Sequence, residues 1–188
     1  MDALLTSTLL VALAEIGDKT QLLSFVLAAR LRRPWAIITG IFVATVANHA
    51  LAGSVGAWVA SLLSPEILRW SVGILFIAFG LWTLKPDTLD DDETPKTLAR
   101  GAFITALIAF FLAEMGDKTQ FATVALAARF DSLAAVVLGT TLGMMIANVP
   151  AVLIGEKLAH RLPLDWIRRL AALVFVLTGG ATLLTTGA

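Results

Sequence analysis

Six long apolar runs account for most of the chain. They lie at about residues 3–29, 35–62, 70–84, 101–128, 133–155 and 170–187. A helix needs about 20 mostly apolar residues to cross the hydrocarbon core of a bilayer. Because 58% of the 188 residues are hydrophobic and only 15% are charged, the chain lacks the polar surface that a soluble domain needs. The sequence therefore predicts an all-α membrane protein with six transmembrane helices.

One eight-residue segment occurs twice, with an offset of 99 residues. The copies read AEIGDKTQ from Ala14 and AEMGDKTQ from Ala113. The offset also pairs Arg30 with Arg129, Gly40 with Gly139, Gly56 with Gly155, Glu66 with Asp165, Phe76 with Phe175 and Gly80 with Gly179. This repeat predicts two three-helix units, residues 1–84 and 100–188, joined by a linker at 85–99. Because each unit has an odd number of spans, the second should be inverted relative to the first, as in many secondary transporters.

Basic residues predict the orientation of the chain, since cytoplasmic loops are enriched in Lys and Arg. Apart from the two motif lysines, ten basic residues follow the first, third and fifth runs: Arg30, Arg32, Arg33, Lys85, Lys96, Arg100, Lys157, Arg161, Arg168 and Arg169. The opposite side holds two, Arg69 and Arg129. Both termini should therefore lie outside the cytosol. The linker, with two prolines and an acidic run, should be a solvated cytoplasmic loop.

Both copies of the repeated segment place charged side chains deep in an apolar run. Glu15 lies near the middle of the first run and Glu114 near the middle of the fourth, and each is followed closely by Asp and Lys. A charge at the bilayer centre costs about 2.5–3.5 kcal/mol on insertion scales. Such residues usually mark a functional site, and we interpret these six in that way.

The spacing within each copy brings the two acids to one side of a helix. Residues three apart are separated by about 60° around the axis, so Glu15 and Asp18 should share a face, with Lys19 one turn from the glutamate. Gly17 weakens the helix between the acids, and unwinding there would free backbone carbonyls, as in the discontinuous helices of transporters. The second copy repeats each position with Glu114, Gly116, Asp117 and Lys118.

If the two copies meet, four carboxylates and two ammonium groups share one site with a formal charge of −2. One divalent cation or two protons would neutralise this charge, so metal and protons compete for the same oxygens. That competition is a physical basis for antiport, in which the lysines tune the charge. Oxygen ligands favour hard cations such as Mn²⁺, Ca²⁺ or Mg²⁺. Further neutral oxygens belong to Thr20, Gln21, Asn48, Thr119, Gln120 and Asn148.

Structural roles are the alternative for several of these residues. The glutamates and lysines could form intrahelical ion pairs, which would leave Asp18 and Asp117 unpaired. Asn48 and Asn148, which align only if one residue is inserted, could instead make interhelical hydrogen bonds. His49 and His160 have no counterpart in the repeat and are expected to be peripheral.

The doubled motif, Glu-x-Gly-Asp-(Lys/Arg)-(Thr/Ser), resembles that of the cation/proton exchangers of Golgi, chloroplast and bacterial membranes that handle Mn²⁺ and Ca²⁺. Here its copies are Glu15–Thr20 and Glu114–Thr119. The resemblance extends over the whole chain, in its length, span number and linker. It implies that the motif helices face each other, that their acids bind the cation, and that alternating access exports it from the cytosol in exchange for protons. The lack of an organellar N-terminal extension implies a bacterial plasma (inner) membrane.

Other functional classes remain open alternatives. Asp18 and Asp117 could be cast as the dyad of an intramembrane aspartyl protease, although a Lys follows each and a Glu precedes each. A passive divalent-cation channel or a scaffold subunit would not couple metal to protons. The zero formal charge gives no case for nucleic-acid binding, and the lack of cysteine excludes thiolate metal sites. We therefore expect a non-enzyme without a cofactor, whose partners are the bilayer, protons and transported Mn²⁺ or, second, Ca²⁺; homo-oligomerisation is left open.

Overall fold

The computed structural model describes residues 1–86, 101–154 and 163–184. This part of the chain is all helical and contains no strand. Its helices are α1 (Asp2–Glu15), α2 (Lys19–Leu31), α3 (Pro34–Leu62), α4 (Pro65–Thr83), α5 (Ala102–Glu114), α6 (Lys118–Arg129), α7 (Leu133–Ile154) and α8 (Leu164–Leu184). Most of the predicted linker lies outside the described residues. So do Lys96, Arg100, Gly155, Lys157, His160 and Arg161.

Four of these helices, α3, α4, α7 and α8, are long and apolar enough to cross a membrane. The first and fourth apolar runs are not single helices, because each divides at the repeated motif into two shorter ones. Helices α4 and α8 begin five or six residues before the third and sixth apolar runs. Their first turns carry acidic side chains, so hydropathy alone does not assign these turns to an apolar run. Ser64 caps α4 by accepting a hydrogen bond from the Ile67 amide.

Side-chain burial in this protein is the reverse of the pattern in a soluble domain. Large apolar side chains such as Leu51 and Leu138 are more than half exposed, whereas many polar and charged side chains are buried. Apolar side chains still fill the gaps between helices, in one cluster among α1, α4, α6, α7 and α8 and another among α2, α3, α5 and α7. An apolar exterior around a polar interior is suited to a lipid environment.

A contact between a helix of the first half and a helix of the second half recurs between the two equivalent helices, in which the halves are exchanged. Helix α1 packs along α7, and its counterpart α5 packs along α3. A Cβ added at Gly139 would lie 2.6 Å from the carbonyl oxygen of Leu4, and one at Gly40 would lie 2.7 Å from that of Phe103. Each residue of the first contact is 99 positions from its equivalent in the second. The repeat is therefore present in the packing as well as in the sequence.

The last helix of each half packs against its own counterpart. Phe76 of α4 and Phe175 of α8 occupy equivalent positions, and their ring centroids are 6.2 Å apart. Both rings are buried. Two equivalent residues, one from each half, therefore contact each other between α4 and α8.

Close backbone approach between α4 and α8 leads to a stability prediction. A Cβ at Gly179 would lie 2.6 Å from the Gly73 carbonyl oxygen, whereas one at the adjacent Gly180 would meet no described atom within 4 Å. Gly179→Ala should therefore lower the free energy of unfolding by about 1–3 kcal/mol, the usual cost of overpacking. Thermal unfolding in detergent measures this effect, with Gly180→Ala as the matched control. Equal melting temperatures for the two variants would contradict the packing.

Candidate metal centre

Each motif interrupts its helix at a glycine. Helix α1 ends and α2 begins on either side of Gly17, and α5 and α6 lie on either side of Gly116 in the same way. These glycines have φ angles of +85° and +75°, which residues with a side chain rarely adopt. The two breaks are alike in backbone conformation, so equivalent sequences have produced equivalent loops.

Glutamine side chains hold both loops in place. The Gly17 amide donates to Oε1 of Gln21 at 2.9 Å, and the Gly116 amide donates to Oε1 of Gln120 at 2.8 Å. Gln21 also donates from Nε2 to the Ala147 carbonyl at 3.0 Å. The helix break leaves backbone N–H groups without helical partners. In each loop the glutamine side chain accepts a hydrogen bond from one of these N–H groups. The predicted ligand oxygens of both glutamines are thus already hydrogen-bonded to the motif backbone.

The two motif glutamates are buried and each is held by one oxygen. Thr20 donates to Oε2 of Glu15 at 2.7 Å, and Thr119 donates to Oε2 of Glu114 at 2.9 Å. In both glutamates the other oxygen, Oε1, is buried without a hydrogen-bond partner among the described residues. A buried carboxylate oxygen without a partner is costly, so these two atoms are the strongest candidates in the site for binding a proton or a cation.

Three carboxylates converge at the centre of the protein. One oxygen each from Glu15, Glu114 and Asp117 lies within 4.8 Å of the others, and all three residues are buried. These residues come from both halves, so this group of carboxylates forms only where the two motifs meet. Such a group of anionic oxygens is typical of hard-cation sites. Asp18, the fourth predicted carboxylate, is buried but does not belong to this group of three.

Each motif lysine pairs with the aspartate of the other half. Nζ of Lys118 lies 2.5 Å from Oδ1 of Asp18, and Nζ of Lys19 lies 3.6 Å from Oδ1 of Asp117. The alternative in which the aspartates are left unpaired is therefore wrong. So is the expectation that helical spacing places Glu15, Asp18 and Lys19 on one face, because the helix ends between them and that spacing no longer applies.

The two predicted asparagines make interhelical hydrogen bonds. Oδ1 of Asn148 accepts from the Ser24 hydroxyl at 2.8 Å, and Nδ2 of Asn48 donates to the Phe111 carbonyl at 3.0 Å. Oδ1 of Asn48 is buried without a partner in the described part of the chain. The structure therefore gives both asparagines a packing role and leaves one free oxygen, on Asn48.

His49 is buried, contrary to the expectation that it is peripheral. Its side chain is fully inaccessible, and neither ring nitrogen has a hydrogen-bond partner within residues 1–86, 101–154 and 163–184. Since α3 and α7 are continuous helices, no inserted residue separates their equivalent positions, and the offset of 99 pairs His49 rather than Asn48 with Asn148. The ungapped offset is the sequence signal that would have drawn attention to this histidine.

The family model described as "Divalent cation/proton antiporter GDT1" matches residues 3–91 and 102–188. A Vibrio cholerae protein named "Putative manganese exporter" is 53% identical over 97% of this chain and 90% of its own length. The "GDT1-like protein sll0615" of Synechocystis is 29% identical over 94% of each chain, and the rice "GDT1-like protein 3" (Oryza sativa subsp. indica) is 28% identical over 93% of this chain and 71% of its own. No solved structure gives a significant match.

The exchanged ion pairs can be tested by a double-mutant cycle. Lys118→Gln leaves the buried Asp18 carboxylate without this ammonium group, and removing one partner of a buried pair typically costs about 3–5 kcal/mol. The double variant Asp18→Asn/Lys118→Gln should recover a large part of that loss. The control is the more exposed pair of Asp165 and Arg168, whose removal should cost about 0–1 kcal/mol. Additive losses in thermal unfolding at the buried pair would contradict the pairing.

Proposed function

The chain belongs to the GDT1 family of divalent cation/proton antiporters, and we propose that it exports Mn²⁺ from the cytosol in exchange for protons by alternating access. It is an integral membrane transporter rather than an enzyme, and the metal is its substrate. The preference for Mn²⁺ over Ca²⁺ rests on the name of the Vibrio cholerae relative, with which it shares 53% identity. Ca²⁺ is the second candidate substrate, because it too prefers oxygen ligands.

The observation that carries the proposal is the buried group formed by Glu15, Glu114 and Asp117, with an unpartnered oxygen on each glutamate. These oxygens would be the primary ligands of the cation, and Thr20 and Thr119 fix the glutamates for that role. Asp18 would complete the negative charge while held by Lys118. The proposed site keeps Gln21, Gln120, Asn48 and Asn148. The glutamines support the loops, and Asn48 is the candidate neutral ligand because its Oδ1 has no partner among the described residues.

Protons and metal would compete for the same glutamate oxygens. With both lysines charged, the four motif carboxylates leave the site with a formal charge of −2. A low-dielectric site disfavours this charge, so the departure of a divalent cation should be accompanied by the uptake of two protons. Exchange of one Mn²⁺ for two protons would be electroneutral. It would therefore respond to the pH gradient and not to the membrane potential.

The exchanged helix contacts support an inverted-repeat architecture. We propose that α1 with α2, and α5 with α6, each form one broken span, so that residues 1–84 and 100–188 are two inverted three-span units joined by a cytoplasmic linker at 85–99. Both termini would lie outside the cytosol, in a bacterial inner membrane. Broken helices that meet at the interface of two such units are where secondary transporters bind their ions.

A protease function finds no support in this site. An aspartyl dyad needs two carboxylates that share a proton. Asp18 and Asp117 are instead each paired with a lysine of the other half. A passive channel would use the same ligands without proton coupling, and this alternative is distinguished by the second of the two experiments below.

Neutralising the carboxylates should abolish transport without unfolding the protein. Glu15→Gln, Glu114→Gln and Asp117→Asn each remove a charged ligand, and we expect Mn²⁺ flux into proteoliposomes to fall by at least about tenfold. Mutation of residues that only support metal ligands already has an effect of about this size. Glu66→Gln and Asp165→Asn are matched controls, because these acids are exposed and equivalent in the repeat. Wild-type flux in any two of the three site variants would contradict the proposal that the three carboxylates form one transport site.

Metal binding should release protons. Isothermal titration of detergent-solubilised protein with Mn²⁺, in buffers of different ionisation enthalpy, counts them, and we expect about two per metal at neutral pH. Because bound metal needs deprotonated carboxylates, the affinity should fall as the pH falls. The Glu15→Gln variant should release fewer protons. A count of released protons near zero, with Mn²⁺ transport intact, would contradict proton antiport and support the passive channel.

A further inference from the structure

The two halves differ in how their motif helices pack at the outer ends. The end of α2 faces the end of α7 across a cavity of about 360 Å³, lined by Phe25, Val26, Ala28, Ala29, Val152, Leu153 and Ile154. At the equivalent place in the other half, α6 touches α3 directly. A Cβ at Gly56 would lie 2.2 Å from the Val124 carbonyl oxygen, and one at Gly53 would lie 3.7 Å from Cβ of Ala127. Among the described residues, this pair of elements is thus separated by a cavity in one half and in direct contact in the other.

Hydrogen bonding in the two halves differs at the same elements. On the open side, the Ser24 hydroxyl of α2 donates to Oδ1 of Asn148 on α7 at 2.8 Å. On the closed side the equivalent residues are Thr123 of α6 and His49 of α3. Thr123 donates to the carbonyl of Thr119 within its own helix at 2.8 Å. Both nitrogens of His49 are buried without a partner among the described residues.

We infer that His49 is a positioning residue for the opposite state of the transport cycle, in which it hydrogen-bonds the Thr123 hydroxyl as Asn148 now bonds Ser24. In that state the cavity would lie between α6 and α3, and α2 would pack directly against α7. Each hydroxyl would thus have two acceptors, a carbonyl one turn back in its own helix and a side chain on the facing helix of the other half. The role requires only a ring nitrogen that accepts a hydrogen bond.

This inference rests on the proposed function, because only a transporter of two equivalent halves needs to exchange their conformations. A chain with equivalent contacts can reach its second state when each half adopts the packing that the other has in the first. The cavity lies at the end of α2, and the basic residues Arg30, Arg32 and Arg33 are at or just beyond that end in the sequence. The orientation proposed above places these residues at the cytoplasmic surface. The present conformation would then be the one open to the cytosol.

The absence of cysteine makes the inference directly testable. Ala28→Cys places a thiol in the cavity, and Ala127→Cys places one at the equivalent, closed position. In open membrane fragments, in which the reagent reaches both membrane faces, we expect a small water-soluble maleimide to label the Ala28→Cys variant faster than the Ala127→Cys variant. Equal rates, or no labelling of either variant, would overturn the asymmetry on which the inference stands. A clear asymmetry without Mn²⁺ flux would instead count against the proposed function alone.

Variants of the two hydroxyl residues then test the role of His49. Ser24→Ala should lower labelling of Ala28→Cys and raise that of Ala127→Cys, because it removes the bond that favours the present state. Thr123→Val and His49→Ala should do the opposite and slow transport. A net hydrogen bond corresponds to about a two- to tenfold change in population, so the labelling ratio should shift by that factor.

His49→Asn is the conservative variant, since it introduces the residue type of the equivalent position. It should keep both the wild-type labelling ratio and the transport rate, and it remains informative if His49→Ala fails to fold. A labelling ratio that is unchanged in both Thr123→Val and His49→Ala would show that His49 only fills space and would overturn the inference.

Discussion

The structure depends on placing buried carboxylates in an apolar surrounding without leaving their charge uncompensated. A soluble protein would solvate such groups, but a chain with an apolar exterior must neutralise them internally. Two devices achieve this here. The lysine of each half neutralises the aspartate of the other, and the threonine after each break holds one oxygen of the glutamate. What is left uncompensated is a small set of oxygens at the centre, which is what a cation or a proton would bind.

The broken helices follow from the same constraint. A continuous helix would carry Glu15 and Lys19 on one face and let them neutralise each other locally. The turn at Gly17 separates them, so the lysine reaches across to the opposite half and the glutamate points into the shared centre. A backbone conformation that glycine alone adopts easily thus decides which charges pair. The glutamine four residues after each glycine accepts a hydrogen bond from the glycine amide, which replaces one of the lost helical hydrogen bonds.

Hydropathy was sufficient to predict an all-helical membrane protein, and the doubled motif was sufficient to indicate the family. They could not predict which partner each lysine chooses, because intrahelical spacing stops being valid where the helix breaks. They also missed the first turns of α4 and α8, whose polar residues look like loop. His49 was misjudged for a different reason: an inserted residue was allowed in order to align two asparagines, whereas two continuous helices permit no such insertion.

The exchanged ion pairs have a consequence for how such a chain could have arisen. Each half carries an aspartate that pairs with the motif lysine of the other half. In the proposed inverted arrangement, a lone unit would lack the lysine that pairs with its motif aspartate, and a second copy in the opposite orientation would supply it. Fusion of the two copies into one chain would then have fixed the ratio of the two orientations at one to one. Separate chains would reach that ratio only if each orientation were inserted into the membrane equally often.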